Sequence, residues 1–120
     1  MKIERFNFDG RERPYSQVVR VGGFVFTAGA SIGDPGDDIT AQTTKTLEYL
    51  KDLLQKAGTD MQHVVQGNVF LADIADWGAF NEVWKRYFPT NKPVRTTTQV
   101  GKFGGNTLIE IDFIAAMPGD

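Results

Sequence analysis

Cysteine is missing from the 120 residues, and there is only one histidine. The first absence excludes a disulfide frame, a thiolate nucleophile and a thiolate metal site, and it suits a reducing, cytoplasmic setting. The lone histidine, His63, has no ligand partners at metal spacing and is expected to be structural, so no metal is predicted. No run is long and apolar enough to span a bilayer, and the N-terminus mixes charge with aromatics instead of forming a signal core. Strong charge of either sign is also lacking. Thirteen basic and fifteen acidic residues leave a formal net charge of −2, so nothing draws nucleic acid or anionic lipid over long range. There is no linker, repeat or low-complexity tract, and the length suits a single domain over 1–120.

What is present reads as an α+β domain. Lys2 to Phe8, Gln17 to Val21 and Phe24 to Thr27 carry strand signals, and Gly22-Gly23 joins the last two as a hairpin. From Ile39 to Ala57, the apolar residues Ile39, Leu47, Leu50, Leu54 and Ala57 fall at helical steps. Asp37 and Asp38 stand where an N-cap is wanted, and Gly58 where a helix stops. Val64 to Leu71 is a strand. Ile74 to Phe88 is a second helix, with Asp73 as its cap and Pro89 and Pro93 beyond its end. Thr96 to Lys102 and Leu108 to Ala116 close the chain as strands, and Phe103-Gly-Gly-Asn106 is expected to join them as a tight hairpin. The order βββαβαββ predicts two helices on one face of a mixed sheet.

In that hairpin, Ile109, Ile111, Phe113 and Ala115 face the helices, while Arg95, Thr97, Gln99 and Glu110 share the opposite face. One reading is a solvated surface with a weak cross-strand charge pair. The other is a cleft in which the planar fork of Arg95 grips a carboxylate and Glu110 acts as a base. A two-residue turn places Gln99 opposite Glu110 and Arg95 roughly 13 Å further along the strand. A three-carbon substrate does not bridge that gap. A bulge, another register or completion by a neighbouring subunit would resolve it. Asp34, Asp37 and Asp38 lack the distal glutamate of a calcium loop.

Lys92-Pro-Val-Arg-Thr-Thr-Thr-Gln-Val100, followed by Leu108-Ile-Glu-Ile-Asp-Phe-Ile-Ala115, resembles the C-terminal signature of the reactive-intermediate deaminase (Rid, or YjgF-like) family. Arg13-Pro-Tyr-Ser-Gln17, Phe26-Thr-Ala-Gly29, Ile39-Thr-Ala-Gln42 and Val69-Phe-Leu-Ala-Asp73 resemble further family segments in order, across nearly the whole chain. The resemblance implies a chorismate-mutase-like fold and a homotrimer with a central barrel and clefts between subunits. It implies no cofactor, and a small imino- or enamino-acid substrate such as 2-aminoacrylate, hydrolysed to a 2-keto acid and ammonia. On the same basis Arg95 is the carboxylate-binding arginine and Glu110 the acid that handles water and protons. Gly29 brings its backbone close to the ligand, and Tyr15 and Asn81 line the cleft. Ala28 and Thr97 depart from the serine and cysteine of typical members, which bears on substrate preference. Two alternatives remain open on the same fold: a non-catalytic binding module, and a deaminase for a larger intermediate such as an aminomuconate.

Overall fold

A computed structural model describes residues 1–119. Its strands are β1 (Ile3–Phe6), β2 (Val18–Val21), β3 (Phe24–Thr27), β4 (Val64–Leu71), β5 (Val94–Gln99) and β6 (Ile109–Ala116). Helix α1 (Ile39–Lys56) lies between β3 and β4, and α2 (Trp77–Tyr87) between β4 and β5. The chain order is the expected βββαβαββ, and the six strands form one mixed sheet in the order β1-β2-β3-β6-β4-β5.

Local chemistry accounts for most of these boundaries. Gly22 and Gly23 both have positive φ, 58° and 81°, as a two-residue hairpin turn requires, and β2 pairs with β3 directly across it. Asp38 caps α1 by accepting a hydrogen bond from the Ala41 amide at 2.9 Å. Gly58, at φ +95°, ends the helix in the left-handed region. Thr43 fills the gap in the apolar stripe: it is fully buried, and its hydroxyl donates to the Ile39 carbonyl at 2.7 Å. The second helix starts later than the sequence suggests. Asp73 caps a 3-10 turn at Ile74–Asp76, accepting from the Ala75 amide, and only then does α2 begin.

The last two strands do not form a hairpin. Strand β5 pairs in parallel with β4, and β4 lies between β5 and β6. The reason is α2, which carries the chain back to the start of β4 as a βαβ crossover does. The glycine-rich stretch before β6 is a loop instead of a two-residue turn, and of Gly104 and Gly105 only the second has positive φ. Opposite Glu110 stands Phe70, not Gln99.

This topology reverses the expected face of the β5 side chains, while those of β6 face as expected. Arg95 is in register with Gly67. A Cβ on Gly67 would lie 2.7 Å from Trp84 and 3.2 Å from Phe113, so this position looks into the layer between sheet and helices. Arg95 and Thr97 therefore lie on the helix side of the sheet. Glu110 stands between the fully buried Ile109 and Ile111 and faces the other way. On that open face Phe24 and Phe26 are 44% and 39% exposed. The core between the layers holds Leu47, Leu50 and Leu54 of α1, Phe80 and Val83 of α2, and Val69, Ile111 and Phe113 of the sheet.

Candidate functional site

The seven candidate residues fall into two clusters on opposite faces of the sheet. The first surrounds Arg95. Strand β5 carries this side chain under α2, where its Nη1 donates to Asn81 Oδ1 at 2.8 Å. The guanidinium carbon lies 4.9 Å from the ring centre of Phe80, 5.0 Å from that of Trp84 and 5.4 Å from that of Trp77. The sequence suggests little apolar packing for Arg95, and that expectation is wrong: three aromatic faces hold it by cation–π contact. The i, i+3, i+4, i+7 spacing of Trp77, Phe80, Asn81 and Trp84 puts all four on one helix face, against Arg95 of the edge strand.

Burial pushes the Arg95 pKa below its ordinary value. That value is so high that the group stays a cation. No carboxylate pairs with it among the described residues. Two positions further on the same face, the Thr97 hydroxyl is buried without a hydrogen-bond partner. Orphaned buried polar atoms are uncommon, and an unpaired cation on the same face gives this corner the chemistry to hold an anion. Gln99, the third residue of this face, has a structural task. Its Oε1 accepts from the Ile74 amide at 2.8 Å and fixes the turn before α2.

The second cluster brings Tyr15, Ala28, Gly29 and Glu110 into one cavity of about 360 Å³. The pairing of β3 with β6 stops at Phe26↔Ile114 and resumes at an isolated bridge between Ala30 and Ile111. Three residues of one strand thus face two of the other, which is a bulge. It lifts Ala28 and Gly29 out of the ladder against the Glu110 side chain. A Cβ on Gly29 would fall 2.7 Å from Glu110 Oε2, so only glycine lets the carboxylate lie on this backbone. Tyr15 is 58% exposed at the mouth.

Sequence reasoning missed the rim of this cavity. Asp9 and Arg13 form a two-bond ion pair at 2.7 Å each, and Arg13 also donates to Asn7 Oδ1 at 2.7 Å. Arg13 holds the Asp9 carboxyl well below the usual range. The buried Gln17 accepts from the Phe8 amide at 2.7 Å and donates to the Tyr49 hydroxyl at 2.6 Å. The clustering of charge in Asp9-Gly-Arg-Glu-Arg13 was the available signal, but its partners depend on tertiary contacts.

The remaining polar features lie outside both clusters. His63 Nδ1 is 2.7 Å from Asp60 Oδ1. Lys45 bridges Asp34 and Asp37 at 2.7 and 2.6 Å.

An α+β sandwich with a carboxylate in a bulged cavity and a caged arginine at the sheet edge defines the class. The family model described as Endoribonuclease L-PSP matches residues 10–117. A RutC family protein of Pyrococcus abyssi is 39% identical over 108 residues, covering 85% of each chain. The chloroplastic Reactive Intermediate Deaminase A of Arabidopsis thaliana is 34% identical over 110 residues, which is 87% of this chain and 59% of that one. A crystal structure from Mycobacterium tuberculosis, of a member of the YjgF/YER057c/UK114 family, superposes with a TM-score of 0.88 at 30% identity, covering 97% of this chain and 100% of the other. The chain belongs to the YjgF/Rid family, as its sequence motifs suggest. Some of its relatives carry deaminase names. No helix among the described residues is long and apolar enough to cross a membrane.

Proposed function

We propose that this protein hydrolyses 2-imino acids, and the 2-enamino acids in equilibrium with them, to 2-keto acids and ammonia. The catalytic unit is a cytoplasmic homotrimer without a cofactor. Each active site joins the Glu110 cluster of one subunit to the Arg95 cluster of its neighbour. The observation that carries this reading is the unpaired guanidinium of Arg95 beside the orphaned Thr97 hydroxyl. Within one chain the sheet itself separates this anion corner from the carboxylate meant to act on the same small molecule. The exposed Phe24 and Phe26 on the open sheet face support burial against other subunits.

The chemistry follows from the two clusters. Arg95, held in plane by Asn81 and the aromatic rings, takes the substrate carboxylate through two parallel hydrogen bonds, with the Thr97 hydroxyl completing the corner. That orients the C=N bond towards Glu110. The protonated imine carbon is electrophilic. Glu110 holds a water and accepts one of its protons as the oxygen bonds to that carbon. Glu110 passes that proton to the nitrogen of the tetrahedral adduct, then takes the hydroxyl proton as the C–N bond breaks, so that the carbonyl forms and ammonia leaves with its bonding pair. Ala28 and Gly29 bring no polar side chain to this corner, so backbone and Tyr15 form the remaining wall.

A nuclease, which the family model's description names, fits less well. The net charge is −2, and the single histidine is engaged by Asp60 away from both clusters. The direct test uses imines released from several amino acids by an amino-acid oxidase and follows 2-keto acid and ammonia. The protein should accelerate hydrolysis well above the spontaneous rate. Binding of keto acids without any acceleration would favour the non-catalytic module.

A further inference from the structure

The cavity around Glu110, as one chain forms it and before the neighbour's Arg95 cluster closes it, is larger than a three-carbon substrate. Six heavy atoms fill on the order of 100 Å³ at the density of packed organic matter, whereas the cavity measures about 360 Å³. Its rim, which includes Asp9, Arg11 and Arg13, is tied together by hydrogen bonds. Asn7 Nδ2 donates to the Arg11 carbonyl at 2.5 Å, and the Arg11 amide donates to Asp9 Oδ1 at 3.0 Å. Gly10, at φ +71°, makes the turn between them, and Arg13 ties Asp9 to Asn7. The backbone of Arg11 is fixed on both sides, yet its guanidinium has no hydrogen-bond partner among the described residues.

Charge counting gives that guanidinium a task. Asp9 and Arg13 neutralise one another in their two-bond pair. In the shared site, Glu110 is balanced by the neighbour's Arg95. A protonated imino acid with a single carboxylate is itself neutral. Arg11 is then an exposed cation on the cavity wall that makes no ion pair among the described residues, and a substrate bearing a second carboxylate supplies the partner for one.

We infer that this site takes 2-imino acids whose side chain ends in a second carboxylate, the imines of acidic amino acids, with Arg11 binding the distal group. The inference rests on the shared-site reading above and names the substrate class for it. Arg11 determines specificity and does not take part in the bond-breaking steps. Its side chain is exposed and makes no hydrogen bond or ion pair among the described residues, so Arg11→Ala and Arg11→Glu should fold as the wild type does.

The experiment compares 2-iminoglutarate with 2-iminopropanoate, each generated in place by an oxidase acting on glutamate or alanine. The wild type is expected to favour the diacid. In Arg11→Ala the ratio of the two kcat/KM values should fall roughly ten-fold or more, the scale on which a site loses a substrate group it was built to bind. Arg11→Glu should lower the ratio further. Titration with 2-oxoglutarate and pyruvate gives the same comparison without turnover. The wild type should bind the diacid more tightly, and Arg11→Ala should lose that preference. Ratios and affinities that ignore Arg11 would overturn the inference while leaving imine hydrolysis intact. Absence of turnover with both imines would overturn the deaminase reading, and the keto-acid titration would still decide the role of Arg11.

Discussion

Arg95→Ala is expected to lose on the order of 2–5 kcal/mol of binding to a small 2-keto acid such as pyruvate, the usual cost of removing one partner of a desolvated charge pair. Pyruvate keeps the substrate's carboxylate and lacks its imine, so calorimetric or NMR titration isolates the anion corner from the chemistry. Arg95→Lys should be impaired too. The three rings and Asn81 hold a flat, forked cation, and Asn81 Oδ1 already takes one of its donors. An ammonium in that cage keeps the charge but cannot offer two parallel bonds to a carboxylate. Because the guanidinium also packs between helix and sheet, circular dichroism and oligomeric state must accompany each titration. Equal pyruvate binding in folded wild type and Arg95→Ala would remove Arg95 from the site.

Glu110→Gln separates chemistry from binding. The amide has the same shape and fits against the Gly29 backbone, but it cannot accept a proton from water. Turnover should fall roughly 10²- to 10⁴-fold, the usual range for a lost general base, while pyruvate affinity stays close to that of the wild type. That pattern marks an interaction made in the transition state and not in the ground state. Undiminished turnover in a folded Glu110→Gln protein would exclude the carboxylate from the mechanism.

Local signals made much of the fold legible from sequence. The predicted bounds of β4 match those observed, and α1 differs by one residue, because caps, glycine stops and helical periodicity act over a few positions. The final hairpin failed because Gly104-Gly105 between two β-rich runs satisfies the sequence rule for a tight turn, whereas strand order is decided elsewhere. Helix α2 and the parallel pairing of β5 with β4 decide it here, through contacts remote in sequence. The face of Arg95 was lost with the hairpin, since parity in a strand has meaning only once its neighbours are known. Strand parity singled out Arg95, Thr97 and Glu110, family resemblance added Tyr15, Ala28, Gly29 and Asn81, and the geometry sorts the seven into two groups that no local pattern separates. Nothing in the sequence assigns partners to Asp9, Arg11 and Arg13, and the fold locks Arg13 on Asp9 while the Arg11 guanidinium has no hydrogen-bond partner among the described residues.

The central claim is that Arg95 and Glu110 of different subunits serve one substrate, and mixed trimers test it. Arg95→Ala and Glu110→Gln subunits, each nearly inactive alone, can be unfolded together in equal amounts and refolded. With random assembly, a site has an even chance of drawing an intact Arg95 from one side and an even chance of drawing an intact Glu110 from the other. The mixture should therefore recover about a quarter of the wild-type rate per subunit. Mixed trimers that form and yet show no activity above that of the separate variants would place both residues in a site within one chain and contradict the account.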